Sequence, residues 1–223
     1  MVFDFLLGKT VGEPVPELKP SVRALLDELI GYASEKRFGQ RLEEAREYYY
    51  LKAGKINEDD ADFVQRMNTV LEWFIFDHRP GGIGTNSLFD QYMGEKRARL
   101  SSAELVERMA MSKHLHSMFM VISCGDGTIK VKDMATKRRY VVSNDDRLEK
   151  GDILEARIVF LGSGCFFTYT HCLHPKAALK PIMGELKKWK SKMLGEDFFF
   201  KLQNMQLKWR RFRQISINDI YRM

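Results

Sequence analysis

The chain has 223 residues, of which 44% are hydrophobic and 30% are charged. This length predicts one large domain or two small ones, and the composition is that of a folded protein rather than a disordered one. No stretch approaches the roughly 20 apolar residues that span a bilayer, so no transmembrane segment is expected.

Two further features bear on location. The N-terminus, MVFDFLLGKTVGE, lacks the basic start and the small-residue cleavage site of a signal peptide. The three cysteines, at positions 124, 165 and 172, are an odd number and do not suit a disulfide framework. A reducing, cytoplasmic location is therefore expected.

The charge is unevenly distributed. The formal net charge is +6, and residues 176–223 hold twelve Lys/Arg and four Asp/Glu, a balance of +8. The rest of the chain therefore carries 6 − 8 = −2. A mildly acidic body with a basic C-terminal piece is typical of proteins with a nucleic-acid, membrane-surface or acidic-protein partner.

The N-terminal half predicts an extended arm followed by a helical domain. Residues 1–20 hold three of the six prolines and predict the arm. Residues 21–115 predict helices, because apolar residues recur there at helical spacing. Asn57 suits the N-cap of the third helix, and Ser101 with Glu104 has the spacing of a capping box.

The period changes from helical to alternating at residue 116. The segments HSMFMVIS, TIKVKD, RRYVVS, DILEARIVFLG and CFFTYTHC predict five strands between residues 116 and 174. Short strands with tight connections indicate a small antiparallel, barrel-like sheet.

Residues 175–223 predict a basic helical hairpin that Pro175 opens. Its apolar residues form two seams at heptad-like spacing, Leu179, Ile182, Leu186, Trp189 and Met193, then Phe198, Leu202, Met205, Trp209 and Phe212. Such seams close within one chain or between two, so a homo-oligomer is one expectation. The fold class predicted overall is α+β: a helical part, a five-stranded barrel and this hairpin.

Two groups of basic residues are candidates for binding nucleic acid or another anionic partner. The first lies on a predicted strand hairpin and comprises Lys130, Lys132, Arg138 and Arg139. The second lies on the C-terminal helices and comprises Lys187, Lys188, Lys190, Lys208, Arg210, Arg211 and Arg213. Basic residues interleaved with aromatic ones favour nucleic-acid binding. The alternatives are edge-strand charges that block aggregation and a solvated helix face.

Histidines and cysteines offer one candidate metal site. His114 and His116 precede or begin the first strand, and Cys172 and His174 end the last. If those two strands pair antiparallel to close the barrel, the four side chains surround one zinc ion. The alternative is that Cys172 is a small buried residue and the histidines mark helix ends. No complete catalytic or cofactor motif appears, so no cofactor is expected.

Several short segments carry a resemblance to a group of proteins. They are Leu71–Phe74, His116–Phe119, Val131–Asp133 and Gly151–Arg157, and in this order they resemble uncharacterised bacterial proteins in which a helical half precedes a small β-barrel. The resemblance covers roughly residues 57–175 and implies a bacterial cytoplasmic setting but no activity. The signature of the PilZ barrel is not met by Arg138-Arg139 or Asn144-Asp145-Asp146.

The sequence therefore favours a non-enzymatic binding or adaptor protein that acts through its surface on a protein partner. The second interpretation is a nucleic-acid-binding protein that uses the basic residues named above. The third is a zinc-dependent or Cys/His enzyme built around Cys172 and His174.

Overall fold

The structure is a computed structural model, and it describes residues 19–82, 84–125, 127–143, 148–189 and 195–222. Its helices are α1 Lys19–Ala33, α2 Gly39–Ala53, α3 Phe63–Phe76, α4 Leu88–Lys96, α5 Ser102–Ser112, α6 Leu179–Trp189, α7 Glu196–Arg211 and α8 Ile217–Ile220. Its strands are β1 Leu115–Gly125, β2 Thr128–Asp133, β3 Arg139–Ser143, β4 Ile153–Leu161 and β5 Gly164–His174. The predicted α+β class is confirmed.

The helical half begins two residues earlier than predicted. Lys19 and Pro20 belong to α1 rather than to the predicted arm, since proline is tolerated in the first turn of a helix. The rest of the arm, residues 1–18, lies outside the described residues. Helix α3 begins at Phe63, not near Asn57, because the Asn57 N–H is held by the Asp60 carboxylate in a turn (2.8 Å).

The five strands form a closed barrel in the order β1-β2-β3-β5-β4. Neighbours are antiparallel except that β3 runs parallel to β5, with Ser143 beside Phe166. The pairing of the first strand with the last, which the four-ligand zinc hypothesis assumed, is not formed. Strand β4 pairs with both β1 and β5 and lies between them, because β5 is inserted between β3 and β4.

The barrel has an apolar interior and an outer face that the helices cover. Phe119, Val131 and Leu154 fill the interior. On the outer face, Val159 and Phe166 pack in one cluster with residues of α1 to α5 and with Phe200 of α7. The helical half and the barrel therefore share a core.

The C-terminal helices belong to the same packed body. The seam residues Ile182, Leu186, Phe198 and Leu202 are buried with Met118 and Ile153 of the barrel. Helix α7 also packs along α2. Met193 and the side chain of Trp189 lie outside the described residues. The two seams are thus used within the chain.

Candidate functional site

A row of three basic side chains lies on the outer face of the β2–β3 pair. Lys132 is opposite Arg139, and Lys130 is opposite Val141. Because side chains alternate along a strand, these point away from Val131, which is buried inside the barrel. None of the three makes an ion pair with another described residue. We call Lys130, Lys132 and Arg139 the basic row.

Arg138, the fourth predicted residue of this group, lies just before β3. Its side chain is exposed, and its carbonyl accepts a hydrogen bond from the Asp133 N–H (2.8 Å) at the end of the β2–β3 turn. The structure therefore brings the whole predicted strand group to one region of the surface.

Two arginines of the C-terminal helices have structural partners. Arg211 binds the Asp60 carboxylate at 2.6 Å, and Arg210 lies 3.4 Å from Asp62. Both acids come from the turn that leads into α3. The acidic run before α3 thus neutralises part of the basic face of α7.

The other C-terminal basic residues are more exposed. Lys188 pairs with Glu185 one turn earlier in α6. The guanidinium of Arg213 lies 3.7 Å from the ring centroid of Trp209. The remaining predicted residues are Lys187 and Lys208, which are exposed, and Lys190, which lies outside the described residues.

A second candidate site is buried where the barrel meets the helices. Polar side chains point outward from three adjacent strands, where solvent would be expected, and are covered by α2, α3 and α7. We call them, with the helical side chains that face them, the polar layer. Its members are His116, Glu155, Arg157, Thr170, Cys172 and His174 on the strands, and Tyr49, Glu72, Asp77 and Gln203 on or next to the helices.

Arg157 is the centre of one half of the polar layer. Its guanidinium donates to Asp77 (Nη1 to Oδ1, 3.3 Å) and lies near Glu72 (Nε to Oε2, 3.7 Å). It also lies 2.7 Å from Nε2 of His114. The other ring nitrogen of His114 is 3.0 Å from the Met111 carbonyl. Both nitrogens of His114 therefore already have partners.

Glu155 is the centre of the other half. Its Oε1 accepts a hydrogen bond from the Gln203 amide (2.6 Å) and lies 3.0 Å from Nε2 of His116. The His116 ring stacks on Phe199 with 3.8 Å between ring centroids. Tyr49 donates its hydroxyl to the Gln203 side-chain oxygen. These contacts fix Glu155 and leave its second oxygen, Oε2, without a hydrogen-bond partner.

A cavity of about 250 Å³ opens beside the polar layer. Its wall includes the aromatic residues Tyr49, Trp73, Phe76, Phe199 and Phe200 and the charged residues Asp77, Arg79, Glu155, Arg157 and Glu196. The wall thus combines apolar surface with converging polar groups, two elements that small-ligand sites share.

Burial shifts the protonation of these groups toward their neutral forms. Removal from water raises the pKa of Glu155 to about 8 and that of Glu72 to about 7. It lowers the pKa of His114 to about 4 and that of His174 to about 3. Near neutral pH, Glu155 is therefore mostly protonated and both imidazoles are uncharged.

The predicted metal ligands are divided by the topology. His114 and His116 lie on the β1 side and Cys172 and His174 on β5, and β4 separates them. Among the described residues, the group of possible ligands that converges is Glu155, Cys172 and His174, whose ligand atoms lie within 4.8 Å of one another. Cys172 and His174 are thus brought together, with Glu155 in place of the two other histidines.

Residues 18–205 match a family of unknown function, DUF7986. The match covers well over half of the chain. The chain belongs to DUF7986. This agrees with the expectation of a family without an assigned activity. Comparisons with curated proteins and with solved structures gave no match.

Sequence reasoning missed four charged residues of the polar layer in this DUF7986 chain: Glu72, Asp77, Glu155 and Arg157. One signal was available. In the strand segment ILEARIV, Glu155 and Arg157 are two residues apart and flanked by apolar residues, which places both on one face of a strand that is otherwise apolar.

None of the described helices combines the length and the apolar character needed to cross a membrane.

Proposed function

We propose that this DUF7986 protein is a non-enzymatic binding protein that holds a nucleic-acid strand against the basic row. The observation that carries the proposal is the register of β2 and β3, which aligns Lys130, Lys132 and Arg139 on one outward face without acidic partners among the described residues. Unpaired cations in a row attract a polymer of regularly spaced phosphates.

The architecture of the barrel supports this choice by analogy. Small five-stranded Greek-key barrels of the OB type bind oligonucleotides on the face of strands 2 and 3. That face is also the one where the basic row lies. The analogy concerns the fold alone, and the argument for this chain depends on its charges.

The chemistry of the face predicts the kind of binding. The outward positions of β2 and β3 are Thr128, Lys130, Lys132, Arg139, Val141 and Ser143, and none is aromatic. Bases therefore find no stacking platform there. We expect contacts to phosphates, with little sequence preference and a strong dependence on salt.

The C-terminal helices are the weaker candidate for this role. Arg210 and Arg211 are engaged by Asp62 and Asp60, so their charge is partly compensated. The helices also carry buried core residues such as Phe198 and Leu202. Deleting residues 176–223 would therefore unfold the protein, and surface substitutions are needed to test binding.

The test is fluorescence anisotropy with random-sequence single-stranded RNA and DNA across a salt series. We compare the full chain with the triple variant K130E/K132E/R139E. The wild type is expected to bind with a log–log salt slope of about −2, at roughly −0.7 per phosphate contact for single strands. The triple variant is expected to bind RNA and DNA much more weakly, and its residual binding should show little dependence on salt.

A matched control is K187E/K208E/R213E, which makes the same change in formal charge on exposed C-terminal residues. It is expected to bind nearly as the wild type does. If the control loses binding and the strand variant keeps it, the C-terminal helices hold the site and the proposal is wrong. Circular dichroism of each variant shows that it is folded.

An acidic protein partner is the competing form of surface binding. If the wild type binds neither RNA nor DNA at low salt, the nucleic-acid proposal fails. Affinity capture with the same two variants then identifies which basic face an acidic protein recognises, and an adaptor becomes the better description.

A further inference from the structure

Glu155, Cys172 and His174 form a second, separate candidate site that does not depend on the basic row. Glu155 on β4 lies directly opposite Cys172 on β5, and His174 is two residues further along β5, on the same face. Glu155 and His174 are 3% and 4% exposed, and Cys172 is half-buried. One ligand atom from each lies within 4.8 Å of the others.

Two atoms of this group are buried without a hydrogen-bond partner among the described residues. They are Oε2 of Glu155 and Nε2 of His174. A buried polar atom without a partner is costly, and each such atom in a folded protein calls for an explanation. A shared cation would satisfy both atoms.

The opposite ends of the same two side chains are held in place. Oε1 of Glu155 accepts from Gln203, and Nδ1 of His174 lies 3.0 Å from the Tyr221 hydroxyl, just after α8. An outer contact of this kind on the second nitrogen orients a metal-binding histidine and fixes its tautomer. Gln203 of α7 and Tyr221, which follows α8, therefore hold the two side chains that carry the unpartnered atoms.

The donor set selects the ion. A carboxylate oxygen, a thiolate sulfur and an imidazole nitrogen are the ligand types that Zn²⁺ prefers. Two ligands of one tetrahedral Zn²⁺ lie roughly 3.3–3.8 Å apart, given bonds of about 2.0–2.3 Å. Atoms within 4.8 Å reach one ion through small side-chain rotations.

We propose that Glu155, Cys172 and His174 bind one Zn²⁺ ion, with the fourth coordination position facing the cavity beside the polar layer. Glu155 and Cys172 both line that cavity, so water or a small ligand can reach the ion. Three protein ligands with one open position are the arrangement of reactive rather than purely structural zinc sites.

The nearby arginines do not serve as the cation for Glu155 and Cys172. Arg157 is paired with Asp77 and Glu72, and Arg66 with Asp62 (2.9 Å). Since each arginine has its own carboxylate, none of them compensates Glu155 or Cys172, and binding of Zn²⁺ displaces the protons of the Glu155 carboxyl and the Cys172 thiol. His116, which contacts Glu155 Oε1, serves as a positioning residue.

The test uses the full chain, purified without a metal-affinity step, stripped with a chelator and dialysed. Zn²⁺ is titrated by calorimetry, and Co²⁺ serves as a spectroscopic probe for a cysteine ligand. We expect one equivalent of metal per chain, a higher melting temperature, and a thiolate-to-cobalt charge-transfer band in the near ultraviolet.

Variants then assign the ligands. E155Q, C172S and H174Q are each expected to weaken binding at least tenfold, and C172S to abolish the charge-transfer band. Y221F, which removes only the outer contact to His174, is expected to weaken binding by about 10–100-fold. Circular dichroism of the metal-free variants shows that each is folded.

C124S and C165S are the matched controls, because they change the exposed cysteine and the cysteine of the barrel interior. Both are expected to bind like the wild type. Loss of the band in C124S would mean an adventitious surface site and would overturn the proposal. A folded wild type that binds no Zn²⁺ in the titration would overturn it equally, and the orphaned atoms would then be satisfied by water.

Discussion

Arg157 on β4 pairs with Asp77, the C-cap residue of α3, and so joins the barrel to the helical layer. The Arg157 side chain is 5% exposed and also lies near Glu72. Arg157 and Glu72 are therefore removed from water, whereas the Asp77 side chain is 28% exposed. Their pairing holds two layers of the fold together.

Replacing Arg157 by methionine should be strongly destabilising. The variant R157M keeps most of the apolar volume but leaves Asp77 and Glu72 without their cation, and breaking a buried ion pair costs about 3–5 kcal/mol. Chemical denaturation measures the loss in free energy of unfolding. K52M, which removes the exposed pair with Asp197, is the control and should change stability by no more than about 0.5 kcal/mol. Equal losses in both variants would contradict the assigned role of Arg157.

Glu72 should make stability depend on pH. Burial raises the pKa of Glu72 to about 7 in the folded protein, whereas the unfolded value is about 4.3. Between these values the folded state binds the proton and the unfolded state does not, so the contribution of Glu72 to stability is lost as pH rises through 7.

The variant E72Q isolates this contribution from that of the histidines, whose lowered pKa values act in the opposite direction. The difference in unfolding free energy between wild type and E72Q should shift by about 3 kcal/mol between pH 4.5 and 8, in favour of E72Q at the higher pH. Urea denaturation at several pH values measures it. A difference that does not vary with pH would show that burial does not raise the pKa of Glu72 above its unfolded value.

A prediction on helix α5 tests a feature that the sequence and the structure share. The Ser101 hydroxyl accepts a hydrogen bond from the Glu104 N–H, and the Glu104 carboxylate accepts from the Ser101 N–H (2.8 Å). S101A should lower the unfolding free energy by about 1 kcal/mol. S101G should cost only a few tenths, since glycine is tolerated at this position. Equal costs for the two variants would mean that the cap is not formed.

Local patterns in the sequence predicted most elements but not their arrangement. The Ser101 capping box and the five strands were found within a few residues, because alternation and capping are local properties. The pairing of the first strand with the last, which the zinc hypothesis assumed, is not formed, since nothing local states that β5 inserts between β3 and β4 and leaves β1 to pair with β4.

The polar layer was missed for a related reason. Glu155 and Arg157 alternate with the barrel-facing Leu154 and Ala156, which is the pattern of a strand with one face in water. Only the tertiary structure places helices over that outer face. Conversely, Lys130, Lys132 and Arg139 were recognised as a hairpin face because their cross-strand register follows from a short turn.

The seam of α7 provides a test of whether the C-terminal helices are core or an interface between chains. Leu202 is fully buried against the barrel, whereas Phe212, at the end of the same seam, is 44% exposed. L202A should cost about 2–5 kcal/mol through lost burial and the cavity left behind. F212A should cost much less, because its side chain is partly in water already.

Protein concentration separates the two explanations. If Leu202 stabilises the single chain, the melting temperature of the wild type and the loss in L202A should be the same across a hundredfold range of concentration. If the seam instead joined two chains, unfolding would be coupled to dissociation, and the melting temperature would rise with concentration. The burial of Leu202 with Met118 and Ile153 predicts the first result.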